Sequence, residues 1–244
     1  MTTILTRGAT SVARLRPALY EQAIEIPGRA GPLEARLWVP QQSVDQPIVI
    51  ICHPHSLYGG SMDNKVVTTL CQAFAAMAWP TIRFNFRGVG NSFGQFNGGV
   101  GESEDVVAMM QWAQQHFGQR QIWLAGFSFG AYVALKAHAQ FPAQRLLLVA
   151  PPISLFDLST SQLQGIHCSV IHGGADELIP LNKVQHWVHD IGEGAQLYCL
   201  DGASHFFHGR LNELNQLLKQ VLAAYQATLL DLDLPGARQE QHWA

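Results

Sequence analysis

Gln121-Ile122-Trp123-Leu124-Ala125-Gly126-Phe127-Ser128-Phe129-Gly130-Ala131-Tyr132-Val133-Ala134-Leu135 changes character at its middle. Ile122 to Ala125 form an unbroken apolar run, the pattern of a strand buried on both faces. From Ser128 to Phe141 the residues read as a helix (SFGAYVALKAHAQF). Glycines at 126 and 130 bracket the change. Without a Cβ they let strand and helix approach closely while Ser128 takes a strained backbone geometry. The stretch predicts a strand, a sharp turn that presents a serine, and a helix.

The same grammar continues in both directions. PIVIICH precedes the helix-like NKVVTTLCQAFAAMAW, and TIRFNF precedes ESEDVVAMMQWAQQHF. After the serine helix come RLLLVAPP, CSVIHGGAD, LNKVQHWVHDIG, QLYCLDG and a last helix from about Leu211 to Leu229. Strand and helix in alternation require crossovers and hence a parallel sheet. Tyr20 to Pro40 instead alternates apolar and polar residues around a Gly/Pro-rich break, the pattern of an antiparallel hairpin. The predicted architecture is α/β: a mostly parallel, doubly wound sheet of about eight strands led by an N-terminal antiparallel hairpin. One domain is expected over 1–244, with an irregular arm at 1–19 and a loose tail at 231–244. In such sheets ligands sit beyond the carboxyl ends of the strands.

A chain of 244 residues, 48% of them hydrophobic, can bury one substantial core. Its 15 Lys and Arg against 18 Asp and Glu give a net charge of -3, which argues against nucleic acid or an anionic membrane as partner. A small molecule is the expected partner, and a homodimer is the one assembly entertained. No apolar run reaches the ~18 residues that span a bilayer. The opening MTTILTRGATSVARLR lacks the apolar stretch and cleavage site of a secretory signal, so a cytoplasmic location is expected, although its basic, acid-free composition loosely resembles a transit peptide. Cysteines 52, 71, 168 and 199 form no CxxC pair and read as free buried thiols; a nucleophilic cysteine or a metal site is the weaker reading.

A serine hydroxyl is a poor nucleophile at neutral pH. It needs a sharp turn, a base within reach and backbone donors for the developing negative charge. Gly126-Phe127-Ser128-Phe129-Gly130, lying between a buried strand and a helix, has the context for this. Together with His53-Pro54-His55, Tyr58-Gly59-Gly60-Ser61-Met62-Asp63-Asn64-Lys65 and Phe84-Asn85-Phe86-Arg87-Gly88-Val89-Gly90-Asn91-Ser92, it resembles the α/β-hydrolase superfamily over nearly the whole chain. The resemblance is to a small, lidless bacterial branch of serine hydrolases, distantly similar to dienelactone hydrolases and to prolyl-oligopeptidase-type catalytic domains. Serine stands where dienelactone hydrolases carry cysteine, a departure that argues against their substrate.

The resemblance implies the chain order nucleophile, acid, histidine. His172-Gly173-Gly174-Ala175-Asp176-Glu177-Leu178-Ile179-Pro180 is similar to the superfamily's acid loop and makes Asp176 the expected carboxylate, with Glu177 a steric substitute and Asp157, one strand earlier, a rival. Asp176 as the cap of a helix near Pro180 is the structural alternative. Asp201-Gly202-Ala203-Ser204-His205-Phe206-Phe207 resembles the histidine loop and makes His205 the base, whose ordinary pKa near ~6.5 suits proton shuttling. His208 reads as a surface histidine and His172 as a core one. The oxyanion hole is expected from the backbone N–H of Phe129 and, because Pro54 has no N–H, from that of His55, with Ser56 or Leu57 as alternates.

No metal is expected; the His53/His55 pair lacks companion ligands. Asp63, Asn64 and Lys65 read as the start of a helix, Arg87 and its glycines as a turn below the site, and Asp105 as a complement to a helix dipole. The implied activity is hydrolysis of small or short-chain carboxylic esters by a cofactor-independent serine esterase, through an acyl-enzyme. A peptidase or thioesterase using the same residues, or a non-catalytic binding module, are the alternatives. Only LFDLSTSQLQGIH offers material for a cap, so the pocket should be open, with Tyr58, Phe93, Phe96, Phe206 and Phe207 available for an apolar wall.

Overall fold

The computed structural model describes residues 21–40, 46–118, 120–163 and 165–232. The expected N-terminal arm and the tail beyond 232 lie outside these residues. Strands β1 (Gln22–Gly28) and β2 (Gly31–Trp38) form the hairpin, paired from Gln22 opposite Leu37 to Gly28 opposite Gly31. β2 runs antiparallel to β4 (Thr81–Phe84), and from there the sheet is parallel through β3 (Ile48–Cys52), β5 (Ile122–Phe127), β6 (Arg145–Val149), β7 (His167–Gly173) and β8 (Ala195–Leu200). The order across the sheet is β1-β2-β4-β3-β5-β6-β7-β8.

The apolar runs dictate this arrangement. Every residue of β3, IVIIC, is buried. Ile48, Ile50 and Cys52 enter one core, shared with helices α2 (Val100–Phe117), α3 (Phe129–Gln140) and α4 (Leu181–Ile191). Val49 and Ile51 enter the other, shared with α1 (Lys65–Ala76) and α5 (Leu211–Leu232). Helices therefore cover both faces, which is why β3, β5 and β6 show no alternation of apolar and polar residues. The helix starts follow capping chemistry: Asn64 Oδ1 accepts the N–H of Val66 at 2.9 Å, and the buried Glu102 carboxylate accepts those of Asn97 and Gly99 at 2.8 and 2.7 Å. α5 continues to Leu232, three residues past its expected end, and so occupies the start of the expected tail.

From β3 the chain crosses to β4 on one side and then returns to β5 on the other, so the winding reverses between β3 and β5. That crevice, at the carboxyl ends of the strands, is where α/β sheets bind ligands. Between β6 and β7 the described residues hold one short 3-10 turn, Thr160–Leu163, and no lid domain.

Three cysteines, 52, 71 and 168, are buried, and burial pushes the thiols of Cys71 and Cys168 up to about 12. Cys199 departs from the expected burial. It lies on β8, the last strand of the sheet, and its side chain is exposed because no further strand or helix covers that outer position.

Candidate active site

Ser128 sits between β5 and α3 with φ +52° and ψ −119°, a region costly for any residue with a Cβ. Its N–H donates to the carbonyl of Val149 at 2.9 Å, which ties the turn to the end of β6. Both flanking glycines are sterically required. A Cβ on Gly130 would lie 2.3 Å from the carbonyl oxygen of Cys52, and one on Gly126 2.3 Å from that of Gly130. The strain at Ser128 is thus imposed by close packing of α3 against the ends of β3 and β5.

Opposite the serine, the loops after β7 and β8 bring up an imidazole and a carboxylate. His205 Nε2 lies 3.0 Å from Ser128 Oγ, and His205 Nδ1 lies 2.8 Å from Asp176 Oδ2. Both ring and carboxylate are buried. An ionised carboxylate can only accept, so Nδ1 carries the proton and Nε2 offers its lone pair to the serine hydroxyl. The other carboxylate oxygen, Asp176 Oδ1, accepts the N–H groups of Leu178 and Ile179 at 2.9 and 2.8 Å. Burial alone would raise the Asp176 pKa. The bonds from His205, Ile179 and Leu178 outweigh it and hold the carboxyl below its ordinary range.

Two neighbours hold this half of the site. His172, a buried histidine whose desolvation pushes its pKa down, places Nε2 2.8 Å from the carbonyl of Ile179 and 3.5 Å from Asp176 Oδ2. Ile179 therefore gives its N–H to Asp176 and takes one from His172. Glu177 accepts the backbone N–H of His205 at 3.0 Å, a contact with no sequence signal beyond an acidic residue next to Asp176. Two further bonds, Gly174 N–H to Leu200 O at 2.9 Å and Ala175 N–H to Ala203 O at 3.0 Å, join the same two loops. Asp157 lies exposed on the loop after β6, and His208 is exposed ahead of α5; neither enters the row.

The loop after β3 closes the opposite side. His53 is buried with both ring nitrogens engaged by backbone: Nδ1 lies 2.6 Å from the Pro54 carbonyl, and Nε2 accepts the N–H of Phe86 at 3.0 Å. Burial lowers its pKa to about 4 against the opposing Pro54 bond, and no lone pair remains for a metal. His55 begins the short 3-10 turn Ser56–Tyr58; its carbonyl accepts from Tyr58 and Gly60, each at 3.1 Å. Phe129 is the first residue of α3, so its N–H has no acceptor within the helix.

Aromatic rings line the flank beside His55. Phe96 packs on Phe129 at 5.7 Å, Phe156 on Phe129 at 5.5 Å, and Tyr132 stacks on Phe156 at 4.6 Å. On the other flank Phe206 packs edge-on against His205 at 5.0 Å. Beyond it a cleft of about 430 Å³ opens between the β3 and β8 loops, lined by Gly59, Ser61, Lys65, Phe206 and His208.

Two aromatics expected in the wall lie elsewhere. Phe207 is fully buried in the core beneath α5, and Phe93 covers the hairpin turn, where a Cβ on Gly31 would lie 2.6 Å from its ring. Phe156 takes their place; its position just past the carboxyl end of β6 is the signal that could have found it.

Asp105 also departs from expectation. Rather than merely facing the helix dipole, it is fully buried and grips Arg87 through Nη2 at 2.7 Å, Nε at 3.1 Å and the backbone N–H at 3.0 Å. This pair fastens the turn after β4 to α2 below the aromatic flank.

Comparison with known proteins agrees with the fold. The alpha/beta hydrolase fold family model matches residues 47–166. An α/β serine hydrolase homologue from Coxiella burnetii superposes with a TM-score of 0.78 at 42% identity, covering 82% of this chain and 97% of that one. An α/β serine hydrolase without a lid from Xanthomonas campestris gives 0.78 at 37% identity, over 86% and 97% of the two chains. An uncharacterised protein of Rickettsia prowazekii is 31% identical over 210 residues, 82% of this chain and 88% of its own. With the elbow and the doubly wound sheet, these relatives establish that the chain belongs to the α/β-hydrolase family, among its lidless serine hydrolase homologues.

Proposed function

We propose that this hydrolase cleaves carboxylic esters of small or short-chain substrates through a covalent acyl-enzyme, with Ser128 as nucleophile, His205 as base and Asp176 as the carboxylate that orients it. The observation that carries the reading is the unbroken row from Asp176 Oδ2 through His205 to Ser128 Oγ, at 2.8 and 3.0 Å, beside a helix N-terminus. Ser128 Oγ attacks the acyl carbonyl carbon while its proton passes to His205 Nε2; the new imidazolium is stabilised by Asp176. The carbonyl oxygen becomes an oxyanion received by the N–H groups of Phe129 and His55. His205 returns the proton to the leaving alkoxide, the C–O bond breaks, and the alcohol departs. Water, deprotonated by the same imidazole, then attacks the acyl-enzyme, and collapse of the second oxyanion releases the acid and free Ser128.

Apolar rings flank the row on both sides, which suits compact acyl groups and a neutral scissile bond. No cofactor takes part in this scheme. A fluorophosphonate probe tests it directly. The wild type should be labelled and should hydrolyse p-nitrophenyl acetate and butyrate, and Ser128→Ala should lose both. A folded wild type that takes up no probe and turns over no ester, thioester or aminoacyl amide would make the protein a binding module on a hydrolase scaffold.

A further inference from the structure

The loop that carries the second oxyanion donor is held in an unusual way. Leu57, Tyr58 and Gly59 are exposed, so little packing fixes the loop from outside. Pro54 has no N–H, which leaves the His55 amide as the first donor beyond it. Besides its carbonyl, which accepts from Tyr58 and Gly60, that residue is anchored by its own side chain: His55 Nδ1 accepts the N–H of Leu57 at 3.3 Å and caps the 3-10 turn, a task usually done by Ser, Thr, Asp or Asn. The imidazole also wedges among rings, with centroids 4.8 Å from Tyr58, 4.8 Å from Phe96 and 4.7 Å from Phe129. Phe129 supplies the other proposed donor. One side chain thus touches both residues whose amides would receive the oxyanion.

We infer that the imidazole of His55 is a positioning residue of the hydrolytic site, fixing by its cap on the 3-10 turn the spacing of the two oxyanion donors. This rests on the esterase reading above. Because the Leu57 N–H needs a lone pair, Nδ1 is unprotonated and the ring proton resides on Nε2. Burial holds the ring in this neutral form against the pull of the buried Glu102 carboxylate on α2. The arrangement acts on the transition state, since the oxyanion exists only there, so its loss lowers kcat and leaves KM in place.

Three substitutions separate the cap from simple packing. His55→Asn keeps an acceptor for the Leu57 N–H; His55→Leu is nearly isosteric with Asn but accepts nothing; His55→Phe keeps the aromatic wedge and loses the cap. On p-nitrophenyl butyrate, Leu and Phe should lower kcat about 10- to 100-fold at unchanged KM, part of the effect of removing an oxyanion donor outright. Asn should stay within about threefold of wild type, and inhibition by a trifluoromethyl ketone, which forms a tetrahedral adduct, should weaken in parallel with kcat. Equal kcat for the Asn and Leu variants, or a Phe variant as fast as wild type, overturns the inference while leaving the esterase reading intact. A wild type without ester turnover overturns the esterase reading itself.

Discussion

Asp176→Asn isolates the contribution of one negative charge, because the exchange conserves shape. Asn Oδ1 can still accept the N–H groups of Leu178 and Ile179, the bonds of 2.9 and 2.8 Å that shape the loop, so the fold should survive. The amide NH2 now faces His205 Nδ1 from the position 2.8 Å away where the carboxylate stood. Nδ1 must accept there, the ring proton moves to Nε2, and an N–H meets Ser128 Oγ where a lone pair is needed. Catalysis loses both the correct tautomer and the charge that stabilises the imidazolium. The expected loss in kcat is on the order of 10⁴, which corresponds to about 5 kcal/mol of transition-state stabilisation. KM should not change, because the buried carboxylate touches no substrate. Steady-state hydrolysis of p-nitrophenyl butyrate, normalised by phosphonate titration of folded sites, measures this. An Asp176→Asn enzyme that retains a tenth or more of the wild-type kcat refutes the reasoning, and a matching collapse in Asp157→Asn would move the acid to the loop after β6.

Other perturbations address the frame around the row. Gly130→Ala forces a Cβ against the Cys52 carbonyl at 2.3 Å and should cost about 3 kcal/mol of stability or more, read as a lower urea midpoint with unchanged slope. Asp105→Ala leaves the buried Arg87 guanidinium with only its longer contact to Glu104, at 3.3 Å, and should cost about 3 kcal/mol in urea unfolding, whereas the double exchange Arg87→Met with Asp105→Leu should recover most of that loss. His53 is held neutral, with a folded pKa of about 4 below the ordinary 6.5. The unfolded chain therefore binds the extra proton between these values, and the His53 contribution is intact above the upper one and declines as pH falls through the window. The decline amounts to roughly 3 kcal/mol. In His53→Gln the slope of unfolding free energy against pH over that window should flatten, and an unchanged slope would assign it to other groups.

The fold was legible because both faces of the sheet are covered: β3, β5 and β6 announce themselves as continuous apolar runs, and Gly126 and Gly130 mark a place where backbone must touch backbone. The residues of the row fall just beyond strands, where periodicity breaks and chemistry-bearing side chains stand out. Contacts that depend on pairing across the chain were not legible. Asp105 looks like any acid in a first helical turn until the turn holding Arg87, eighteen residues earlier, folds onto it. Glu177 was weighed as a stand-in carboxylate, yet its partner is a backbone N–H, a group that every residue carries and no sequence distinguishes. Phe206 and Phe207 read alike, but only one can face the crevice: Phe207 takes a φ of +53° and turns its ring into the core. Cys199 failed for a simpler reason, since an apolar run does not reveal that its strand lies at the edge.

Beside the bond between Asp176 and His205, three backbone amides, those of Gly174, Ala175 and His205, join the acid loop to the histidine loop, so neither loop can open while the other stays closed. Their three amides should therefore exchange with solvent deuterium in concert, by one excursion. Carboxylate and imidazole then arrive as a single prefabricated unit, and a freshly folded molecule has only to seat that unit against the serine turn.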